Sequence, residues 1–150
     1  MASGGYSRGV LRVQDGTVDL DTTPTKIGLA ISTYAPDPDE SSLTTFAASE
    51  ATCTGYTGGF GGAGRKSATI TLTEQTANNR VVDIITDLTW TALGGAVNNT
   101  LRYAVWLREI TNDASSVPIG YFQFTADVTT NGSDILVDWD GVNGNLRWGV

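Results

Sequence analysis

The sequence predicts an all-β domain, a β-sandwich or jelly-roll-like fold of seven to nine short strands with one or two short helices. Three observations carry this expectation. Thr and Gly are abundant and lysine is nearly absent; Thr and Val suit a pleated, half-buried surface, whereas long helices draw on Ala, Leu, Glu and Lys. Apolar residues alternate with polar ones in several runs, the period of a strand with one buried face. Turn signals separate those runs at the roughly 8–12-residue intervals of sandwiches and barrels. No repeat of roughly 20–50 residues is visible, which argues against a solenoid or propeller. Residues 1–150 therefore read as one domain, and with 40% hydrophobic and 17% charged residues the chain can bury a core that offsets its folding entropy.

Taken in order, residues 1–5 are small and read as a mobile tail. Tyr6 to Gln14 carries Val10, Leu11 and Val13 before Gly16 and reads as a short helix, with a strand as the other reading. Asp21-Thr22-Thr23-Pro24 is a turn. Ile27, Leu29 and Ile31 then alternate with Lys26, Gly28 and Ala30, a strand. The prolines and acids from Ala35 to Glu40 make an exposed loop, and Ser42 to Ala51 a brief helix with Leu43, Phe46 and Ala47 on one side. Six glycines between Gly55 and Gly64 read as a long, adaptable loop. Strands follow at Ala68, Ile70 and Leu72, at Val81 to Ile85, and at Leu88, Trp90 and Ala92. The most regular is Leu101 to Ile110, with Leu101, Tyr103, Val105 and Leu107 on one face and Arg102, Ala104, Trp106 and Arg108 on the other. Phe122 and Phe124, then Ile135, Val137 and Trp139, mark two more; Asn131-Gly132, Asp140-Gly141 and Asn143-Gly144 are hairpin dipeptides. Leu146 and Trp148 end the chain.

Charge narrows the function. The formal net charge is −7 and the pI about 4.3, so phosphate backbones and anionic membrane surfaces are repelled and neither nucleic acid nor membrane is an expected partner. No apolar run reaches the ~20 residues of a membrane span, and the N-terminus lacks the basic and apolar regions of a signal peptide. Cys53 is the only cysteine, which rules out an intrachain disulfide and a thiolate zinc cluster. Between neutral Thr52 and Thr54 it reads as a small, half-buried apolar residue. With no histidine, Ser-His-Asp and Cys-His catalysis is impossible. No catalytic residue, cofactor or metal site is expected, and the chain reads as a binder rather than an enzyme.

Two patterns mimic ligand sites. Gly59-Phe60-Gly61-Gly62-Ala63-Gly64 matches G-x-G-x-x-G, but a dinucleotide fingerprint needs a helix after it, and Ser67 to Leu72 reads as strand. The loop then has two other readings: plain flexibility, or ordering against a partner. Asp138 and Asp140 flank Trp139 on one strand face and invite a calcium or glycosidase hypothesis, but the EF-hand pattern fails because Asn143 stands where glycine is needed. Solvated acids before a turn is the simpler reading.

Trp, Tyr and Arg are the residue types enriched at binding hot spots. Trp90 and Trp139, at alternating strand positions, are expected in the core. The expected protein-interface set is Tyr6, Arg8, Arg65, Lys66, Trp106, Arg108, Arg147 and Trp148. Arg65-Lys66 is the only adjacent basic pair, Trp106 lies on the second face of its strand near Arg108, and Trp148 follows Arg147 at the chain end.

Several segments in order, Asp19-Leu20-Asp21, Lys26-Ile27-Gly28-Leu29-Ala30, Ser32-Thr33-Tyr34-Ala35-Pro36-Asp37, Thr54-Gly55-Tyr56-Thr57, Asp87-Leu88-Thr89-Trp90, Arg102-Tyr103-Ala104-Val105-Trp106, Ile119-Gly120-Tyr121-Phe122 and Trp139-Asp140, give the chain a familiar look. From about Val18 to Trp148 it resembles a family of small structural proteins of tailed-bacteriophage virions. The resemblance implies a virion component without enzymatic activity: a capsid decoration or cement protein, a homotrimer, bound to the outside of the major capsid protein shell and made in the host bacterial cytoplasm. The family has no motif of functional residues to transfer, and Gly141-Val142-Asn143-Gly144-Asn145 is longer than its usual Asn-Gly turn. Another virion part (a head fibre base, neck or tail component) and a carbohydrate- or calcium-binding host-attachment module are the alternatives.

Overall fold

The structure, a computed structural model, describes residues 3–75, 80–139 and 147–149, with residues 75, 80–84 and 147–149 described as backbone alone. The order is β1 (Ser3–Gly5), α1 (Ser7–Gln14), β2 (Thr25–Ile31), α2 (Thr44–Ala48), β3 (Lys66–Ala68), β4 (Ile70–Gln75), β5 (Arg80–Ile85), β6 (Leu88–Leu93), β7 (Thr100–Arg108), β8 (Val117–Thr129), β9 (Ser133–Val137) and β10 (Arg147–Gly149). All pairings are antiparallel. A five-stranded sheet runs β1-β8-β7-β2-β3, a three-stranded sheet β10-β5-β4, and a two-stranded sheet β6-β9. The all-β expectation is met, as are both short helices. The hairpin dipeptides at Asp140-Gly141 and Asn143-Gly144, and Asp140 of the carboxylate pair, lie outside the described residues.

The tail expectation is corrected. Ser3, Gly4 and Gly5 pair with Phe122, Tyr121 and Gly120 as the edge strand of the large sheet. Their smallness serves close approach: a Cβ on Gly4 would stand 2.7 Å from the Tyr121 hydroxyl oxygen. The run around Ile70 divides at Thr69 into β3 and β4.

The large sheet is covered on both faces. Ile27, Leu29, Ala104, Trp106, Ile119 and Phe122 point into one core, where Ile85, Trp90, Leu93, Val137 and Trp139 arrive from the smaller sheets and their borders. Trp90 and Trp139 are buried, as expected, and so is Cys53. Ala30, Val105 and Leu107 point the other way, into a second core with Tyr6, Tyr34, Leu43 and Phe46. Tyr34 stacks edge-on against both Phe46 and Tyr103, with ring centroids 6.1 and 5.5 Å apart, a favoured aromatic arrangement. The alternation read in β7 holds from Tyr103 to Leu107, while Leu101 joins the first core across a register shift between Leu101 and Tyr103.

This double covering overturns two interface assignments. Trp106 is 0% exposed, because the face it occupies is the one the smaller sheets cover. Only the flanking arginines emerge where that cover ends: Arg102 pairs with Asp127 at 3.3 Å, and Arg108 donates to the Thr17 carbonyl at 2.6 Å. Tyr6 is also fully buried, and its hydroxyl shares a hydrogen bond with Tyr34. Burial, then the neighbouring Tyr34, pushes the Tyr6 pKa far above its ordinary value, so it stays protonated.

Helix α1 is short for its own stability and depends on its seat against β8. That seat is Gly9: a Cβ there would stand 2.4 Å from the Pro118 carbonyl oxygen and 2.6 Å from the Ile119 Cα. Gly9→Ala is expected to lower stability by about 1–3 kcal/mol through overpacking, although alanine is the better helix former. Thermal denaturation checks this, and an unchanged or raised Tm would show that the helix can lift without cost.

Candidate functional site

Two arrangements of charged side chains stand out, one buried and one open. The buried one is centred on Arg65, whose side chain is 0% exposed. Its Nε and Nη2 donate to Glu50 Oε1 and Oε2 at 2.9 and 2.7 Å, a two-point fork. Its Nη1 donates to Glu109 at 3.1 Å and to Asp113 at 2.5 Å. Lys26 holds the second oxygen of Glu109 at 2.6 Å. The guanidinium carbon lies 5.2 Å from the centroid of the Phe46 ring, and the Tyr56 hydroxyl donates to Glu50 while accepting from the Leu29 N–H, both at 2.9 Å.

Burial opposes the charge on Arg65, but hydrogen bonds to Glu50 and Asp113 outweigh it and the pKa is raised, so the cation persists. Burial likewise works against the Glu109 carboxylate, yet hydrogen bonds from Lys26, the Gly61 N–H and Arg65 prevail and its pKa is lowered. A carboxylate with a depressed folded-state pKa contributes stability that is fully present above its unfolded pKa and is lost as pH falls through the folded one. Unfolding curves are therefore expected to hold steady at neutral pH and weaken once acid passes below the usual carboxylate range. Glu109→Gln should be less stable at neutral pH and show a shallower acid decline; a decline as steep as the parent's would remove Glu109 from this role.

The network explains the glycine-rich loop. The Gly59 N–H donates to Glu50 at 2.8 Å and the Gly61 N–H to Glu109 at 3.0 Å. The Trp90 indole N–H donates to the Gly64 carbonyl at 2.7 Å. A Cβ on Gly62 would meet the Thr57 carbonyl oxygen at 2.3 Å, and one on Gly64 the Tyr56 ring at 2.6 Å. The glycines permit close packing, and the chain's own carboxylates hold the loop in place of a partner. Strand β3 begins at Lys66 directly after it, so no helix N-terminus is present to hold a pyrophosphate. Arg65 is thus corrected from a docking residue to an internal clamp. Its neighbour Lys66 is half-buried, with Nζ 5.9 Å from the centroid of the Trp90 ring.

The open arrangement is a cleft of about 420 Å³ between α1, the end of β7 and the β7–β8 turn. Arg8, Arg12 and Arg108 line it, with Val18, Ile110 and Val117 among its apolar walls. Arg8 and Arg12 stand one helical turn apart on α1, so they share a face. Arg12 reaches Asp15 and Thr17 only at 3.5 Å. Arg8 is exposed and joins no ion pair among the described residues. Asp113, clamped by Arg65, immediately precedes Ala114 and Ser115 of the cleft wall. The buried network therefore fixes one side of the open site.

Of the expected interface set, the structure brings Arg8 and Arg108 together at this cleft. Arg147 and Trp148 lie on β10, paired with Val82 and Val81 of β5, and their side chains are outside the described residues. Sequence reasoning missed Arg12, although its spacing of four from Arg8 on an expected helix was a usable signal. It also missed Glu50, Glu109 and Asp113, which lie 15, 44 and 48 residues from Arg65, and no local pattern announces partners so distant. Among the described residues no group of three His, Cys, Asp or Glu side chains is placed to hold a metal, and no helix is long and apolar enough to cross a membrane. Comparison of the chain with protein-family models, with curated proteins and with solved structures returns no match.

Proposed function

We propose that this chain is a bacteriophage capsid decoration protein, a homotrimer that binds the outside of the major capsid protein shell and stabilises the packaged head. The observation that carries the reading is the cleft: three of the chain's few basic residues are gathered at one open site, away from any proton-transfer constellation, on a molecule of net charge −7. Such a site is suited to holding a protein surface, and the acidic remainder resists the packaged nucleic acid. The resemblance to phage structural proteins supports the same reading, and three of its eight segments fall in β2, β7 and β8 of the large sheet. A protein that binds across assembled subunits stabilises the shell by mass action, since free subunits lack the complete site.

Particles made with and without this protein test the proposal. Those lacking it should release DNA at lower temperature or lower salt, and adding purified protein back should restore them at hundreds of copies per particle. Equal resistance with and without it would end the cement role, whereas six or twelve copies per particle would move it to the neck or tail.

A further inference from the structure

We propose that the cleft lined by Arg8, Arg12 and Arg108 is a binding site for an acidic protein segment in which carboxylate side chains neighbour an apolar one. The inference deepens the docking reading above by naming the partner's chemistry, and rests on that reading only for which protein supplies the segment.

Three features select the ligand. Arg8 and Arg12 repel one another across one helical turn, and Arg108 joins them at the same cleft. Their own chain compensates them weakly: Arg8 has no ion-pair partner among the described residues, Arg12 has contacts of 3.5 Å, and Arg108 has one short bond, to the Thr17 carbonyl, a neutral acceptor. In a chain where acids outnumber bases 16 to 9, three cations left so open call for an external anion. Arg65 shows the contrast, since the same chain surrounds that guanidinium with three carboxylates.

The shape suits an organic occupant better than a bare ion. A cleft of about 420 Å³ falls in the roughly 300–1,000 Å³ range of organic ligand sites, and Val18, Ile110 and Val117 give it walls that an inorganic anion would not use. Half-exposed Ile110, at 49%, gains a covering only if the occupant carries an apolar side chain. A guanidinium fork matches a carboxylate in two-point geometry, so Glu or Asp beside Leu or Phe fits both parts of the cleft.

The probe is an acetylated, amidated peptide of alternating Glu and Leu, titrated into the intact protein at low salt by calorimetry and by backbone amide NMR. Its Gln–Leu counterpart and inorganic phosphate serve as controls. Saturable binding is expected, with shifts at α1 and the β7–β8 turn, at least about tenfold tighter than for the Gln–Leu peptide. Affinity should fall by about tenfold in Arg8→Gln/Arg12→Gln; Arg8 is exposed and half-buried Arg12 gives up only contacts of 3.5 Å, so the unfolding curve should move little. Absence of saturable binding, equal binding of the Gln–Leu peptide, an unaffected double variant, or phosphate competing as strongly as the peptide would each overturn the proposal. Particle binding that persists without peptide binding would discard the cleft and keep the decoration reading; peptide binding without particle binding would do the reverse.

Discussion

Arg65→Ala is expected to be the most damaging single substitution at a charged residue, lowering stability by about 3–5 kcal/mol. The cost comes less from the lost attraction than from what is left behind. Glu50, which is 3% exposed, would be left buried without the fork that now satisfies both oxygens. Glu109 and Asp113 would lose a shared donor, and the carboxylates that fix Gly59 and Gly61 would lose the guanidinium that holds them in place. For a chain of this length such a loss amounts to a fall in Tm of about 10 °C. Arg65→Lys should recover only part of it, because an ammonium cannot span two oxygens of Glu50 while also reaching Glu109 and Asp113. Differential scanning calorimetry of the parent and both variants is the check, and a lysine variant as stable as the parent would show that charge alone suffices.

The second large effect belongs to the tryptophans, where a pair of conservative variants separates packing from hydrogen bonding. Trp90→Ala and Trp106→Ala should each cost about 3–5 kcal/mol, since both side chains fill the core shared by the sheets. The phenylalanine variants should differ. Trp90→Phe strips the Gly64 carbonyl of its indole donor, adding about 1–3 kcal/mol for an acceptor left without it. Trp106 Nε1 is buried with no partner among the described residues, so Trp106→Phe removes a polar atom that gains nothing and costs only the smaller ring. Chemical denaturation should therefore rank Trp106→Phe as the milder change; the opposite order would mean that the Trp106 indole is hydrogen-bonded in solution.

The strands were legible because alternation is a local property. Ile27 and Leu29, or Ala104 and Trp106, announce their shared face within a few residues, and both short helices show themselves through Val10 with Val13 and Leu43 with Phe46. What covers a second face is not local. Trp106 between two arginines looks like a surface residue until the strands holding Trp90 and Val137 are laid over it. The glycine run misled for a related reason: glycine signals either freedom or close approach, and only the positions of Thr57, Tyr56 and Glu50 decide which. Arg65 looked available because its three acidic partners are scattered through the sequence. Of the candidate site, Arg8 and Arg108 could be found by residue type alone, but their meeting required the fold.

Sealing the large sheet on both sides divides the chain into two populations of residues with separate duties. Those that specify the architecture are enclosed, and the open cations sit on the rim, where Arg8 and Arg12 can change with little consequence for the interior. On the docking reading proposed above, the partner is changed by rewriting one helix face, and the thermal behaviour should stay nearly constant.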